Sequence, residues 1–222
     1  MSLWIKICAN TSLEDASFAV DAGADAVGFV FAPSPRRVTA SQVAAIAPKL
    51  PLRVEKIGVF VDAGLDEIEE TVRVSGLTGV QLHSDTGPEA PALLRSHLGS
   101  RFRILRVIHF NPEAQQQVTI VAQDANVDAI LVDSRTATAV GGTGIAFDWQ
   151  KARDTVFQNA GQNGAHFVVA GGLTPANIAT AIATLRPWGV DVVSGVEASP
   201  GRKDPAKVRE FIANARAAVR AK

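Results

Sequence analysis

The chain is 222 residues long, 47% hydrophobic and 20% charged, a balance that suits a folded protein with a substantial buried core and excludes a disordered one. Lys plus Arg and Asp plus Glu number 22 each, so no overall positive field selects nucleic acid, and no 18-residue apolar run or basic leader marks a membrane span or a secretory signal. A single cysteine, Cys8, excludes an internal disulfide, and the expectation is a reduced, cytoplasmic protein.

From the N-terminus, apolar and β-branched runs alternate with segments of helical period. The strand-like runs are residues 3–8, 26–31, 54–61, 79–82, 102–107, 127–133, 166–170 and 190–194. Helix starts are marked between them. Thr11 with Glu14 and Thr39 with Gln42 have the spacing of capping boxes, in which the hydroxyl and the later side chain each satisfy an orphan backbone donor. Asn111-Pro112, Thr174-Pro175 and Asp204-Pro205 pair a capping side chain with proline at the first helical position. The last segment spaces Val208, Phe211, Ile212, Ala215 and Val219 along one helical stripe.

The stretches 23–28, 126–131 and 189–194 each place Gly or Asn, one residue, then Asp before an apolar run, the echo expected of repeated β-α units in which Gly or Asn takes the left-handed residue ending a helix. Eight such units in 222 residues predict one domain, residues 1–222, folded as a (β/α)8 TIM barrel. A doubly wound open sheet is the competing arrangement, but no Gly-rich dinucleotide fingerprint follows the first strand.

In a barrel of this kind, chemistry sits at the carboxyl ends of the strands. Strand alternation puts Cys8 on the same face as Lys6, with Ile5 and Ile7 turned to the helices, and puts Asp133 with Leu131 and Ala129. Cys8 and Asp133 are therefore expected over one pocket. The Gly-rich stretches 141–144, 170–175 and 194–201 would follow strands six, seven and eight and present backbone amides to an anion, the usual phosphate seat of this fold.

Residues 6–8 (KIC), 13–16 (LEDA), 23–36 (GADAVGFVFAPSPR), 58–61 (GVFV), 80–83 (VQLH), 131–134 (LVDS), 141–144 (GGTG), 147–149 (FDW), 170–175 (AGGLTP) and 189–204 (GVDVVSGVEASPGRKD) together resemble the phosphoribosylanthranilate isomerases of tryptophan biosynthesis, from the first strand to the last helix. The resemblance implies a cofactor-free, metal-free Amadori rearrangement of N-(5'-phosphoribosyl)anthranilate. Cys8 would be the general base and Asp133 the general acid; independently of the resemblance, Lys6 on the same strand face as Cys8 is expected to favour the thiolate. The resemblance also implies that Arg36 meets the anthranilate carboxylate, that Asp191 and His83 line the substrate site, and that the backbone of Gly142, Gly144, Gly171, Gly172, Gly195 and Val196 cradles the phosphate. The implied partner is a small phosphoribosyl molecule, with no nucleic acid or membrane, and the chain acts as a monomer or homodimer.

Plainer roles compete at several positions. Asp191 shares its place in the echo with Asp25 and Asp128, a strand-start role; His83 suits a structural histidine equally; Glu197 reads as a carboxylate that orders its loop. The sequence departs from the family at Ala9 and Ser84, where glycine is usual, at Asn10, where an aliphatic residue is common, and at Val193, where serine is usual. Ala9 would be strained if its backbone requires a positive φ. Two other classes compete: a sister barrel isomerase acting on an aminoaldose of histidine biosynthesis, and a barrel that binds a phosphorylated ligand without turnover.

Overall fold

The computed structural model describes residues 3–83, 87–133, 148–159 and 165–220. Eight parallel strands close into a barrel in sequence order, β8 pairing back to β1. They are β1 (Trp4–Ile7), β2 (Ala26–Val30), β3 (Glu55–Val61), β4 (Gly79–His83), β5 (Arg103–His109), β6 (Ala129–Asp133), β7 (His166–Ala170) and β8 (Gly189–Val192). The helices that follow them are α1 (Leu13–Asp21), α2 (Ala40–Ile46), α3 (Leu65–Ser75), α4 (Ala90–Leu98), α5 (Ala114–Val121), α6 (Trp149–Thr155), α7 (Ile178–Leu185) and α8 (Pro205–Arg220). A small antiparallel hairpin, β9 (Glu197–Ser199) with β10 (Arg202–Lys203), is inserted between β8 and α8. Among the described residues, no helix is long and apolar enough to cross a membrane.

Strand alternation divides the apolar residues into two layers. Ile5, Ile7, Val27 and Phe29 belong to the larger layer under the helices, whereas Trp4, Ala26, Ile57, Leu105, Leu131 and Val168 pack inside the barrel. The last helix buries Val208, Phe211, Ile212 and Ala215, with Val219 partly buried at the end of the same stripe.

The helix signals hold where a side chain reaches its backbone donor. Thr39 and Gln42 form the reciprocal capping box, and Asp204 Oδ1 accepts from the amides of Ala206 and Lys207. At α1 the cap is Ser12, not Thr11: Ser12 Oγ accepts from the Asp15 amide, while the Thr11 hydroxyl donates to Gly201 O at 2.6 Å and ties the first loop to the hairpin. Asn111 and Thr174 lie further from the helices they were expected to start. Asn111 Oδ1 accepts from the Glu113 amide in a local turn before α5, and the Thr174 amide donates to Asn177 Oδ1 in a turn before α7.

The three-fold echo divides in the structure. Gly23 is left-handed, with φ +101°, but Asn126 and Gly189 are not; the left-handed residue before β8 is Arg186. Asp25 accepts from the Ile5 amide and pairs with Arg216, and Asp128 accepts from the Ile104 amide and pairs with Arg95. Both staple the start of the neighbouring strand. Asp191, two residues into β8, instead lies opposite Lys6 of β1.

Candidate active site

The parallel register sets Lys6 opposite Asp191 on one side and Ala26 on the other, so the Lys6 side chain enters the barrel. It is fully buried. Its Nζ lies 3.3 Å from Asp191 Oδ1 and donates to Gln81 Oε1 of β4. Burial works against the Lys6 ammonium, but the charges of Asp191 and Cys8 outweigh it and hold the group above its ordinary pKa.

Cys8 follows β1 directly, buried and on the same face; its amide donates to Val192 O of β8 at 2.9 Å. Burial pushes the thiol up; Lys6 and Lys203 pull it down and Asp191 adds to the rise, leaving it net raised. Ala9 then takes φ +62°, the left-handed turn that glycine adopts without penalty. That turn brings the Asn10 amide to Gly28 O, and Asn10 Nδ2 donates to both Ile7 O and Gly28 O. Asn10 thus closes the ends of β1 and β2 with hydrogen bonds that an aliphatic side chain cannot make.

Asp133 is the last residue of β6, buried, and on the inner face with Leu131 and Ala129. In the parallel register it stands opposite His109 of β5, whose ring is 5.2 Å from that of His83 on β4. His109 was not among the expected site residues, because the fifth strand was read as ending at Val107. Continuing the alternation Leu105, Val107, His109 is the signal that would have found it.

Arg36 lies in the loop after β2, with its guanidinium held by Glu197: Nε donates to Oε1 at 2.8 Å and Nη2 to Oε2 at 2.6 Å. Glu197 also accepts from the Gly201 amide and lies 3.4 Å from Lys203 Nζ. Burial pushes the Glu197 carboxyl up, but these donors and cations more than reverse the effect and its pKa lies below the ordinary value. The reading of Glu197 as a loop-ordering carboxylate fits this geometry. Lys203, absent from the expected set, has a side chain with no solvent exposure, and its Nζ also donates to Val193 O at 3.4 Å.

After β7, Gly171 and Gly172 are both left-handed, with φ +85° and +64°, and Asn177 latches the turn by donating to Gly172 O. Gly195 shows a sharper requirement. A Cβ there would sit 1.9 Å from Leu173 O, so the loops after β7 and β8 approach backbone to backbone only because this residue is glycine. Gly195 and Val196 lie in a short 3-10 turn, Ser194–Val196. Gly142, Gly144 and Ser84 lie outside the described residues. Among the described residues, no group of three or more His, Cys, Asp and Glu has the arrangement of a metal site.

Comparison with known proteins places this geometry in context. Residues 5–214 match the family described as N-(5'phosphoribosyl)anthranilate (PRA) isomerase. An N-(5'-phosphoribosyl)anthranilate isomerase of Pelobacter propionicus is 44% identical over 209 residues, covering 94% of this chain and 93% of its own. The crystal structure of phosphoribosyl anthranilate isomerase from Thermotoga maritima superposes with a TM-score of 0.82 at 34% identity, covering 97% of this chain and 99% of that one. A phosphoribosyl anthranilate isomerase in complex with reduced 1-(o-carboxyphenylamino)-1-deoxyribulose 5-phosphate superposes at 0.79, with 33% identity and the same coverage.

Proposed function

This chain belongs to the N-(5'-phosphoribosyl)anthranilate isomerase family, and on that premise we propose that it converts N-(5'-phosphoribosyl)anthranilate to 1-(2-carboxyphenylamino)-1-deoxyribulose 5-phosphate in tryptophan biosynthesis, with Asp133 as general acid and Cys8 as general base. The observation that carries this reading is that a buried thiol and a buried aspartate share the inner face at one end of the barrel, at the termini of β1 and β6.

The chemistry consists of proton transfers. Asp133 gives its proton to the furanose ring oxygen, the C1'–O bond breaks, and the anthranilate nitrogen supplies the electron pair that makes an iminium at C1'. Cys8 removes the proton from C2'; the C–H electrons form the C1'–C2' double bond and neutralise the iminium. The resulting enol then tautomerises to the ketose. Water exclusion favours both steps, because a carboxyl in a dry site keeps its proton more readily and a dry thiolate is a stronger base.

The remaining residues hold the substrate. The amides of Gly171, Gly172, Gly195 and Val196 suit the phosphate, and the expected contribution of Gly142 and Gly144 belongs to the same cradle. Arg36, oriented by Glu197, suits the anthranilate carboxylate by a planar charge-assisted match. His83, with its neighbour His109, suits the sugar edge beside Asp133. Asp191 serves the base by holding Lys6 rather than serving the sugar.

The test follows loss of anthranilate fluorescence when the protein meets substrate generated in place. Cys8→Ser and Asp133→Asn should each lower kcat by about 10²- to 10⁴-fold with the fold intact. Because Cys8 acts deprotonated and its pKa is raised, kcat/KM should climb with pH through the neutral range and on past the ordinary thiol value. A wild-type protein without turnover, or either variant with near wild-type turnover, overturns the assignment.

A further inference from the structure

An ammonium has three N–H donors. Lys6 Nζ donates to Gln81 Oε1 and lies 3.3 Å from Asp191 Oδ1, and the Cys8 thiol beside it acts on its charge. The convergence of Lys6 and Cys8 has an independent geometric marker at Gly28 on β2. A Cβ at that position would lie 2.5 Å from Cys8 Sγ and 2.9 Å from Lys6 Cε, so both side chains occupy the space that any other residue would fill.

A second ammonium reaches the same place from the opposite end of the chain. The Cys8 amide donates to Val192 O, and the next carbonyl, Val193 O, accepts from Lys203. Lys203 is anchored loosely, with both oxygen partners at 3.4 Å, and has no solvent to share its charge. The charged groups acting on the thiol are Lys6 from β1, Asp191 from β8 and Lys203 from β10; β2 presents only Gly28. Glu197 and Arg36 act on it through Lys203. Lys6 beside Asp191, with Lys203 and Arg36 both on Glu197, makes three cations against two carboxylates, and a thiolate on Cys8 balances the charge left over.

We infer that Lys6 and Lys203 are positioning residues for the base: Lys6 holds Cys8 Sγ as a hydrogen-bond acceptor and Lys203 adds a second buried positive charge, so that the working group is a thiolate stabilised by two ammoniums. Lys6 aims the sulfur and supplies the nearer charge. Lys203 makes the β9–β10 hairpin part of the base, coupling it to the Arg36–Glu197 pair. This inference deepens the proposed function by explaining how a buried thiol can be deprotonated, and it rests on the reading of Cys8 as base.

The chain has one cysteine and no tyrosine, so the rise in ultraviolet thiolate absorbance with pH reports Cys8 alone. Lys6→Gln should raise its titration midpoint by about one to two pH units. Lys203→Gln should raise it by less, and the basic limb of kcat/KM should move with it in both variants. Because Lys6→Gln orphans a buried carboxylate, the pair Lys6→Met with Asp191→Leu is measured alongside it; the stronger Lys6 effect still predicts an upward shift. A folded variant at either lysine whose thiol titrates at or below the wild-type midpoint overturns the inference for that lysine. The titration needs no substrate, so failure of the proposed reaction would appear separately, as a wild-type protein that titrates as expected but does not turn over.

Discussion

The two ends of this barrel handle buried polarity in opposite ways. At the amino ends of the strands, Trp4 stacks on Trp188 at 5.2 Å, His166 stacks on the same Trp188 ring at 4.3 Å, and Arg103 sits 5.8 Å from the Trp188 centroid. Three arginines there are each paired with one carboxylate and stay partly in water: Arg103 with Glu55 at 2.7 Å, Arg95 with Asp128, Arg216 with Asp25. At the carboxyl ends, Lys6 and Lys203 have no exposure and share partners with a thiol. Burying charge costs several kcal/mol per ion unless geometry and hydrogen bonding offset it, so a fold selected for stability alone has no use for the second arrangement. The floor is built to hold, and the mouth carries the proposed chemistry.

The largest expected separation of the two ends comes from Gly28→Ala. The new methyl would overlap Cys8 Sγ and Lys6 Cε, and neither can retreat far into the filled barrel. A displacement near 1 Å at a reacting group costs about 10²-fold in rate, and overpacking costs about 1–3 kcal/mol of stability. Steady-state turnover beside a denaturant midpoint separates the two quantities. A variant that loses stability but keeps its rate would show that the sulfur has more freedom than the mouth geometry allows.

The floor gives the converse experiment. Asp128→Ala removes the acceptor of the Ile104 amide, at 2.7 Å, and the partner of Arg95, at 2.8 Å. Leaving a donor unsatisfied costs about 1–3 kcal/mol, which should appear as a lower denaturant midpoint, with kcat/KM unchanged because no mouth residue moves. A fall in kcat/KM comparable to that of Gly28→Ala would break the division between the ends.

The barrel was legible in the sequence because its strands are buried on both faces and its helices repeat their caps; alternation alone placed Cys8 with Lys6 and Asp133 with Leu131. The register was not. Asp25, Asp128 and Asp191 look equivalent as local triplets, but β8 begins at the glycine of its triplet, whereas β2 and β6 begin after the aspartate. Three residues of phase therefore turn a floor staple into a mouth carboxylate, and only the pairing of β8 with β1 reveals it. Lys203 was hidden for a different reason: β10 has two residues, too few for any periodicity, and its partner Glu197 is fixed by Arg36 from a distant loop. The Gly-rich loops were recognisable from composition, but the 1.9 Å requirement at Gly195 depends on a neighbour 22 positions earlier, at Leu173.

The smallest effect asks whether backbone strain at the mouth is part of the chemistry. Ala9 at φ +62° beside the thiol and Arg186 at φ +47° closing α7 on the floor are both left-handed without being glycine. That conformation costs a side-chain-bearing residue about 1–2 kcal/mol, partly offset by the greater freedom glycine has when unfolded, so Ala9→Gly and Arg186→Gly should each gain about 0.5–1 kcal/mol. Turnover should hold in both. At Ala9 the direction of the chain is fixed by the Asn10 amide and by Asn10 Nδ2 on Ile7 O and Gly28 O, hydrogen bonds that survive loss of the Ala9 methyl. Thermal midpoints and kcat measured on both variants decide the point. Equal stabilisation with equal rates means that the strain at Ala9 is a tolerated departure, whereas a rate loss confined to Ala9→Gly means that the strained turn itself aims the sulfur, and Asn10 alone does not.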